Sequence, residues 1–294
     1  MLKRFFYLIL IFLVFTSLVK AKNIDLFPYL LKFKERVKKD LKGKVPEKYI
    51  DKVFNSSEIA YLPQIMIKSL TWKEIKLPYY QFLEKDRILR AKKFMIENSL
   101  FLEKLEKTFG VEKEVLTAMF LIETDLGRKT GKYSIFNSFF SMALSGEEKL
   151  FKNYLNGTEI SLEDPFIKKK LYKRSKWAYE ELLYLIQIAY KNHWDPFQIK
   201  GSIFGAFGYP QFVPRSYLIY GYDWNKDGIV DLYNIEDALA SMANYLKIEG
   251  YKINADIKYK KQVIMKYNHS EPYVQTVFAI AKKLKEICPP QKKR

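Results

Sequence analysis

Apolar residues recur every three or four positions along most of this 294-residue chain, and this spacing is the strongest constraint on its fold. The clearest stretch is SKWAYEELLYLIQIAYKNHW, residues 175–194, in which one side of a helix would be apolar along its length. Alternation of apolar and polar residues, the pattern of a half-buried strand, is rare. The sequence also contains no internal repeat. We therefore predict a mainly α fold with little β structure.

Residues 1–21 have the composition of a signal peptide or an N-terminal anchor. Two basic residues precede an unbroken apolar run over residues 5–15, and Val19 and Ala21 suit a cleavage site after Ala21. The run is shorter than the roughly 20 residues of a membrane-spanning helix, although the following residues could extend it into an anchor. We expect an exported protein.

The formal net charge is +18, or +15 once residues 1–21 are removed. Such an excess favours an anionic partner, which could be an acidic wall polymer, a membrane surface or nucleic acid. For an exported protein, the wall and the membrane surface rank above nucleic acid. The alternative interpretation, which is about as strong, is that the lysines only form solvated faces.

The small numbers of cysteine and histidine residues argue against disulfide bonds and against zinc sites. Cys288 is the only cysteine, which excludes an internal disulfide and a multi-cysteine metal site. His193 and His269 are far apart in the sequence and argue against zinc chemistry. We expect no organic cofactor.

Glu123 lies in the stretch TAMFLIETDLGRKTG, residues 117–131, where helical spacing surrounds it with apolar residues. Removal of a carboxyl group from water disfavours its charged form and raises its pKa, which is what a general acid near neutral pH requires. The structural alternative is a buried glutamate bound to backbone donors or to a lysine. Asp125 falls on another face, close to Arg128 and Lys129, and is interpreted as an ordinary solvated acid.

The segment DWNKDGIVDLYN, residues 223–234, follows the start of an EF-hand loop. Asp223, Asn225 and Asp227 occupy loop positions 1, 3 and 5, glycine follows at position 6, and Ile229 would offer its backbone carbonyl at position 7. The glutamate expected at position 12 is replaced by Asn234. The sequence thus favours a Ca²⁺ site, with a plain turn as the alternative.

Three segments in order resemble the lytic murein transglycosylase B family over about residues 85–275. The first is IETDLGRKTG and the second, some 70 residues later, is GSIFGAFGYPQFVPRSY, whose three glycines imply close backbone approach. The third is DWNKDGIVDLYNIEDALASMANYLKIEGY. Three ordered motifs make the resemblance far more specific than any one of them.

The resemblance implies a lysozyme-like catalytic core in residues 85–294, with a helical insertion at about 147–197 and a calcium loop at 223–237. Residues 22–84 would form an N-terminal helical region. In this family the motif glutamate, here Glu123, is the sole acid/base. It protonates the oxygen that joins N-acetylmuramic acid to N-acetylglucosamine and then deprotonates the muramic acid C6 hydroxyl. The product is a 1,6-anhydro ring, and no water is consumed.

The resemblance also assigns binding residues. The family uses a longer calcium loop with a carboxylate at position 15, which is Asp237 here, so the Ca²⁺ would be structural. Residues that match family positions around the saccharide groove are Ser202, Gln211, Phe212, Tyr245, Tyr267 and Tyr273. Gln211 would bind the sugar through its amide, and Phe212 would be an apolar platform.

Several residues depart from the family pattern. Glu147 and Glu148 stand where members often carry two arginines, Arg215 replaces a serine, and Leu126 replaces an aromatic residue. These changes bear on subsites and substrate length more than on the reaction.

We therefore expect a peptidoglycan lytic transglycosylase, a carbon–oxygen lyase acting on a polysaccharide, in the periplasm or cell envelope. Glycan strands would be its main partner, with a membrane surface or wall-synthesis proteins as further candidates and no role for nucleic acid. The alternatives are a hydrolytic muramidase with the same acid and a non-catalytic, calcium-stabilised wall-binding module.

Overall fold

The structure is a computed structural model that describes residues 25–72 and 79–287. The predicted signal or anchor segment, residues 1–21, and Cys288 lie outside the described residues. None of the helices in the described part of the chain is both long enough and apolar enough to cross a lipid bilayer.

Within these ranges the chain forms thirteen α-helices, which confirms the prediction of a mainly α fold. Short 3₁₀ helices cover Tyr79–Leu83 and Lys152–Tyr154. The α-helices are α1 (Phe27–Asp40), α2 (Glu47–Phe54), α3 (Pro63–Thr71), α4 (Lys85–Glu97), α5 (Ser99–Phe109), α6 (Lys113–Thr124), α7 (Ile135–Leu144), α8 (Glu148–Phe151), α9 (Pro165–Lys191), α10 (Pro214–Tyr220), α11 (Ile235–Ile248), α12 (Ile257–Tyr267) and α13 (Glu271–Ile287).

Local sequence explains where several helices begin and end. Proline occupies the first turn of α9, and the side chain of Asp164 accepts a hydrogen bond from Phe166 N at 2.8 Å. Gly110 ends α5 in a left-handed conformation, which glycine adopts without the steric cost of a Cβ. The helix α9 ends at Lys191, four residues before the Asp195-Pro196 pair.

Among the described residues the sheet content is a single antiparallel pair, β1 (Tyr133–Ser134) and β2 (Lys200–Gly201). Tyr133 lies opposite Gly201, and Ser134 lies opposite Lys200. This pair joins the loop after α6 to the glycine-rich segment, and so fixes the two sequence motifs next to each other.

Buried apolar residues form two clusters. The first contains side chains from α1–α3, α7 and α9, and the second contains side chains from α4–α6 and α11–α13. Tyr245 and Tyr267 pack against both clusters. Helices from the predicted N-terminal region therefore share a core with helices of the predicted catalytic core, and the division at residue 84 stays a prediction.

The glycines of the second motif allow the close backbone approach that the sequence predicted. At Gly205, with φ +92°, a Cβ would lie 2.1 Å from the ring of Phe139. At Gly208, with φ +70°, a Cβ would lie 2.3 Å from Leu232 Cβ. Larger residues would have to move packed neighbours at both positions.

We expect Gly205→Ala to lower the free energy of unfolding by about 2–5 kcal/mol, because left-handed strain adds to overpacking against Phe139. The matched control is Gly157→Ala, where φ is +80° but no atom lies within 4 Å of the added Cβ. Strain alone should then cost about 1–2 kcal/mol. If urea denaturation shows that the two variants lose the same free energy of unfolding, the packing contribution at Gly205 is contradicted.

Candidate active site

Glu123 lies in the last turn of α6 and lines a cavity of about 240 Å³. Among the described residues that line this cavity, Glu123 is the only acid. The lining residues are Tyr79, Gln81, Phe82, Ile122, Glu123, Asn268 and Tyr273.

Burial raises the pKa of Glu123 from 4.5 to about 7. The opposing effect is a hydrogen bond of 2.6 Å from the Tyr273 hydroxyl to Glu123 Oε1, which lowers the pKa by stabilising the charged form. Loss of solvent is the larger effect. Glu123 is therefore buried among apolar residues as its spacing predicted, and among the described residues its partner is Tyr273 and not a backbone donor or a lysine.

Tyr273, which was predicted to contact substrate, lines the Glu123 cavity and also binds the acid. It is only 1% exposed, and its hydroxyl is committed to Glu123. Burial and the nearby Glu123 carboxylate raise the pKa of Tyr273 well above its usual value, so it remains a hydrogen-bond donor. The structure makes it a partner of the acid.

The end of α6 corrects the interpretation of Asp125 as a solvated acid. The helix stops at Thr124, and Asp125 and Leu126 both have positive φ, at 53° and 60°. Asp125 is 7% exposed and forms an ion pair with Arg90 of α4. Because this pair fixes the residue after the helix, it also fixes the turn that carries Glu123.

Three aromatic rings predicted to line the groove form one cluster. The ring centroids of Tyr245 and Tyr267 are 4.8 Å apart, and Phe212 lies 6.0 Å and 5.9 Å from them. Phe212 is only 3% exposed. This burial corrects its predicted role as a platform, because Phe212 supports the two tyrosine rings and offers no open face of its own.

Tyr267 connects this aromatic cluster with the acid. Its hydroxyl donates to Pro210 O at 2.5 Å, which ties α12 to the glycine-rich segment. Burial and the neighbouring Glu123 carboxylate raise the pKa of Tyr267 well above its usual value. The predicted aromatic residues and the predicted acid therefore belong to one region of the molecule.

Gln211 and Ser202 are partly committed to their own loop. The Gln211 side-chain N–H groups donate to Gly208 O at 2.8 Å and to Thr130 O at 3.2 Å, which leaves the amide oxygen as its acceptor. Ser202 Oγ accepts from Ala206 N at 3.0 Å within a tight turn. Neither residue lines the Glu123 cavity.

Sequence reasoning missed part of the cavity wall. Tyr79, Gln81 and Phe82 come from a segment that was assigned to the N-terminal helical region. Asn268 follows Tyr267 directly, in a stretch already noted for its tyrosines. For Tyr79, Gln81 and Phe82, the sequence feature that could have indicated a binding site is the aromatic composition of PYYQF, residues 78–82.

The predicted calcium loop is held by its own side chains. Asp223 accepts hydrogen bonds from Lys226 N at 2.7 Å and Gly228 N at 2.9 Å. Asn225 and Asp227 accept from backbone N–H groups two residues ahead at 3.0 Å and 2.9 Å. No group of three or more histidine, cysteine, aspartate or glutamate residues in the described part of the chain is arranged to hold a metal.

Asp237 is fully buried and binds the backbone at two positions of this loop. Its Oδ1 accepts from Trp224 N and its Oδ2 from Asp231 N, both at 2.9 Å. This carboxylate therefore stabilises the loop through its own hydrogen bonds. Each oxygen keeps a further lone-pair site, and the loop retains oxygen ligands of the kind that Ca²⁺ prefers.

The glutamates that replace the family's arginines lie in surface ion pairs. Glu147 pairs with Lys32 at 3.0 Å, and Glu148 pairs with Lys168 at 2.9 Å. They connect α1 and α9 to α8.

Comparisons with known proteins agree with this architecture. The family described as "Transglycosylase SLT domain" matches residues 29–263. Membrane-bound lytic murein transglycosylase B of Escherichia coli (strain K12) is 28% identical over 171 residues, which are 58% of this chain and 40% of that relative.

Solved structures show the same fold at low sequence identity. Escherichia coli lytic transglycosylase Slt35 in complex with calcium has a TM-score of 0.69 and 19% identity, covering 88% of this chain and 93% of that one. Pseudomonas aeruginosa SltB3 in complex with NAG-anhNAM-pentapeptide has a TM-score of 0.69 and 17% identity, covering 87% and 79%. These likenesses confirm the prediction of a lysozyme-like helical fold.

The raised pKa of Glu123 predicts a dependence of stability on pH. Between pH 4.5 and about 7 the folded chain retains a proton that the unfolded chain releases, so stability falls as pH rises through this window. Glu123→Gln cannot ionise and should escape the fall. Its stability relative to the unmodified chain should increase by up to about 3 kcal/mol between pH 4 and pH 8.

Urea denaturation at a series of pH values measures this difference. The control is Glu97→Gln, which removes an exposed carboxyl and should not reproduce the divergence. Parallel pH curves for Glu123→Gln and the unmodified chain would contradict a raised pKa at Glu123.

Proposed function

The chain belongs to the transglycosylase SLT family, and we propose that it is a lytic transglycosylase that cleaves the glycan strands of peptidoglycan. The observation that supports this most directly is the Glu123 carboxyl, whose pKa of about 7 suits a general acid near neutral pH. It lines a cavity, and its described hydrogen bond comes from the Tyr273 hydroxyl to Oε1. A buried glutamate with a purely structural role would normally be paired with a cation.

The proposed reaction uses the two oxygens of Glu123 differently. Tyr273 donates to Oε1, so the acidic proton sits on Oε2 and is transferred to the glycosidic oxygen between N-acetylmuramic acid and N-acetylglucosamine. The bond from that oxygen to the muramic acid C1 breaks. The resulting Glu123 carboxylate, stabilised by Tyr273, then takes the proton of the muramic acid C6 hydroxyl, whose oxygen bonds to C1.

This sequence closes a 1,6-anhydro ring, returns Glu123 to its protonated form and consumes no water. A glycosidase that uses water normally needs a second carboxylate across the scissile bond. Glu123 is the only acid among the described residues that line the cavity, and Asp125 is committed to Arg90. The contents of the cavity therefore favour the intramolecular reaction over hydrolysis.

We propose that Tyr245, Tyr267 and Gln211 contact the saccharide. The two tyrosines are half-buried, and sugar C–H groups pack well on aromatic faces. The amide oxygen of Gln211 can accept a hydrogen bond from a sugar hydroxyl. A peptidoglycan fragment is bound in the SltB3 structure, which is consistent with this class of substrate.

We also propose that the loop at residues 223–237 binds a structural Ca²⁺ ion. Its ligands would be the side chains of Asp223, Asn225 and Asp227 and the carbonyl of Ile229, with Asp237 as the carboxylate from α11. Two observations support this: the oxygen-rich donor set and the calcium complex of the structural neighbour Slt35.

A location in the cell envelope is proposed on two grounds. Residues 1–21 have the composition of a signal peptide or anchor, and the Escherichia coli relative is described as membrane-bound. Both agree with a substrate that lies outside the cytoplasm.

Digestion of purified peptidoglycan, followed by mass spectrometry of the released muropeptides, tests the reaction. We expect 1,6-anhydro ends, which are lighter than reducing ends by one water. Reducing ends would point to a hydrolytic muramidase instead, and an absence of release would favour a wall-binding module.

Glu123→Gln should lower this release at least about 100-fold, because general acid–base catalysis is lost. Glu114→Gln is a matched control, since Glu114 is a buried glutamate of the same helix whose pKa is also raised by burial but which does not line the cavity. Its rate should stay close to that of the unmodified chain. Substantial release by Glu123→Gln would overturn the assignment.

Calcium at about 100 times its Kd should raise the melting temperature by roughly 5–10 °C relative to chelator. Asp227→Asn should abolish the shift, and since Asp227 is exposed the substitution should leave the metal-free fold intact. Glu236→Gln removes one exposed acid nearby and should keep the shift. Equal melting temperatures with calcium and chelator would reject the metal site.

A further inference from the structure

The longest described helix, α9, has two contrasting sides. Leu171, Ala178 and Leu182 are at most 2% exposed and pack in the first cluster. On the opposite side, residues 166–176 carry side chains that are mostly in solvent. This outer side has a composition that neither the proposed reaction nor the fold explains.

The outer side combines aromatic rings and cations in an ordered way. Phe166 is 73% exposed and Tyr172 is 68% exposed. At 3.6 residues per turn the two lie about 120° apart around the helix, and Lys169, Lys173 and Lys176 all fall between them. We call these five residues the α9 face, which extends along the axis for about 15 Å.

The three lysines of the α9 face are free of carboxylate partners among the described residues. Among the described residues of α9, the lysine that does form an ion pair is Lys168, which lies outside the α9 face and contacts Glu148 at 2.9 Å. Acidic residues mark the ends of the face, with Asp164 capping the helix and Glu180 exposed one turn after Lys176. The positive charge is thus concentrated over three turns of helix and is not neutralised locally.

We propose that the α9 face docks on an anionic phospholipid surface. Lysines beside such a surface each contribute about 1 kcal/mol through attraction to lipid phosphates, and aromatic rings are stable at the level of the headgroups. An acidic polymer that carries no apolar groups would satisfy the lysines but leave both rings in water. A lipid interface accepts both kinds of side chain at once.

The helix would lie along the surface and not enter it. Its buried side is already used by the protein core, and its charges prevent it from spanning a bilayer. Docking would orient the whole molecule, because α9 packs against α3, α7 and α10. This interaction is independent of cleavage, so a failed binding test would leave the proposed reaction untouched.

Co-sedimentation of the full chain with lipid vesicles tests the proposal. The variant is Lys169→Glu, Lys173→Glu and Lys176→Glu combined. Its affinity for vesicles of phosphatidylglycerol and phosphatidylethanolamine should fall on the order of 100-fold or more. Its affinity for phosphatidylcholine vesicles should not change, because residues 1–21 are present in both proteins and contribute equally.

The charge-matched control is a second triple variant that combines Lys104→Glu, Lys107→Glu and Lys258→Glu. All three of these lysines are exposed and lie outside α9. This control should keep most of the affinity for anionic vesicles. The double variant Phe166→Ser and Tyr172→Ser should bind these vesicles more weakly, while the dependence of its affinity on salt concentration should not change. Thermal melting verifies that each variant is folded. Equal losses in the two triple variants, or no loss in the α9 variant, would overturn the proposal.

Discussion

The candidate site depends on the burial of one carboxyl group, that of Glu123, away from water. Glu123 occupies the end of α6, and its surroundings come from the C-terminal helix, the 3₁₀ helix near residue 80 and the loop after α12. Burial raises its pKa, while the Tyr273 hydroxyl limits the increase. A carboxyl balanced in this way can both give up and take back a proton near neutral pH.

The geometry that holds this carboxyl depends on a helix end and not on the helix itself. Asp125 and Leu126 adopt left-handed conformations, which cost energy for residues with side chains, and the ion pair between Asp125 and Arg90 offsets that cost. On the other side, Thr124 Oγ1 donates to Tyr209 O at 3.5 Å, which connects α6 to the glycine-rich segment. The acid is therefore held by groups from three separate parts of the chain.

Sequence periodicity and spacing predicted the helical fold, the unusual Glu123 and the tight packing at Gly205 and Gly208, because each depends on local pattern. They failed where the outcome depends on distant contacts. Asp125 was predicted to be solvated, but it forms an ion pair with Arg90 of α4, and Phe212 was predicted to be accessible, but neighbouring rings cover it. Gln81 escaped notice because nothing local indicates that its segment folds back onto α6.

The contact between Glu123 and Tyr273 joins residues 150 positions apart, and Tyr273 belongs to α13, the last described helix. During synthesis from the ribosome, α6 emerges long before α13 does. Until α13 docks, Glu123 lacks both this helix and its hydrogen-bond donor. The surroundings of Glu123 are therefore completed only after α13 has been synthesised and has packed against α6, so the order of translation delays their assembly.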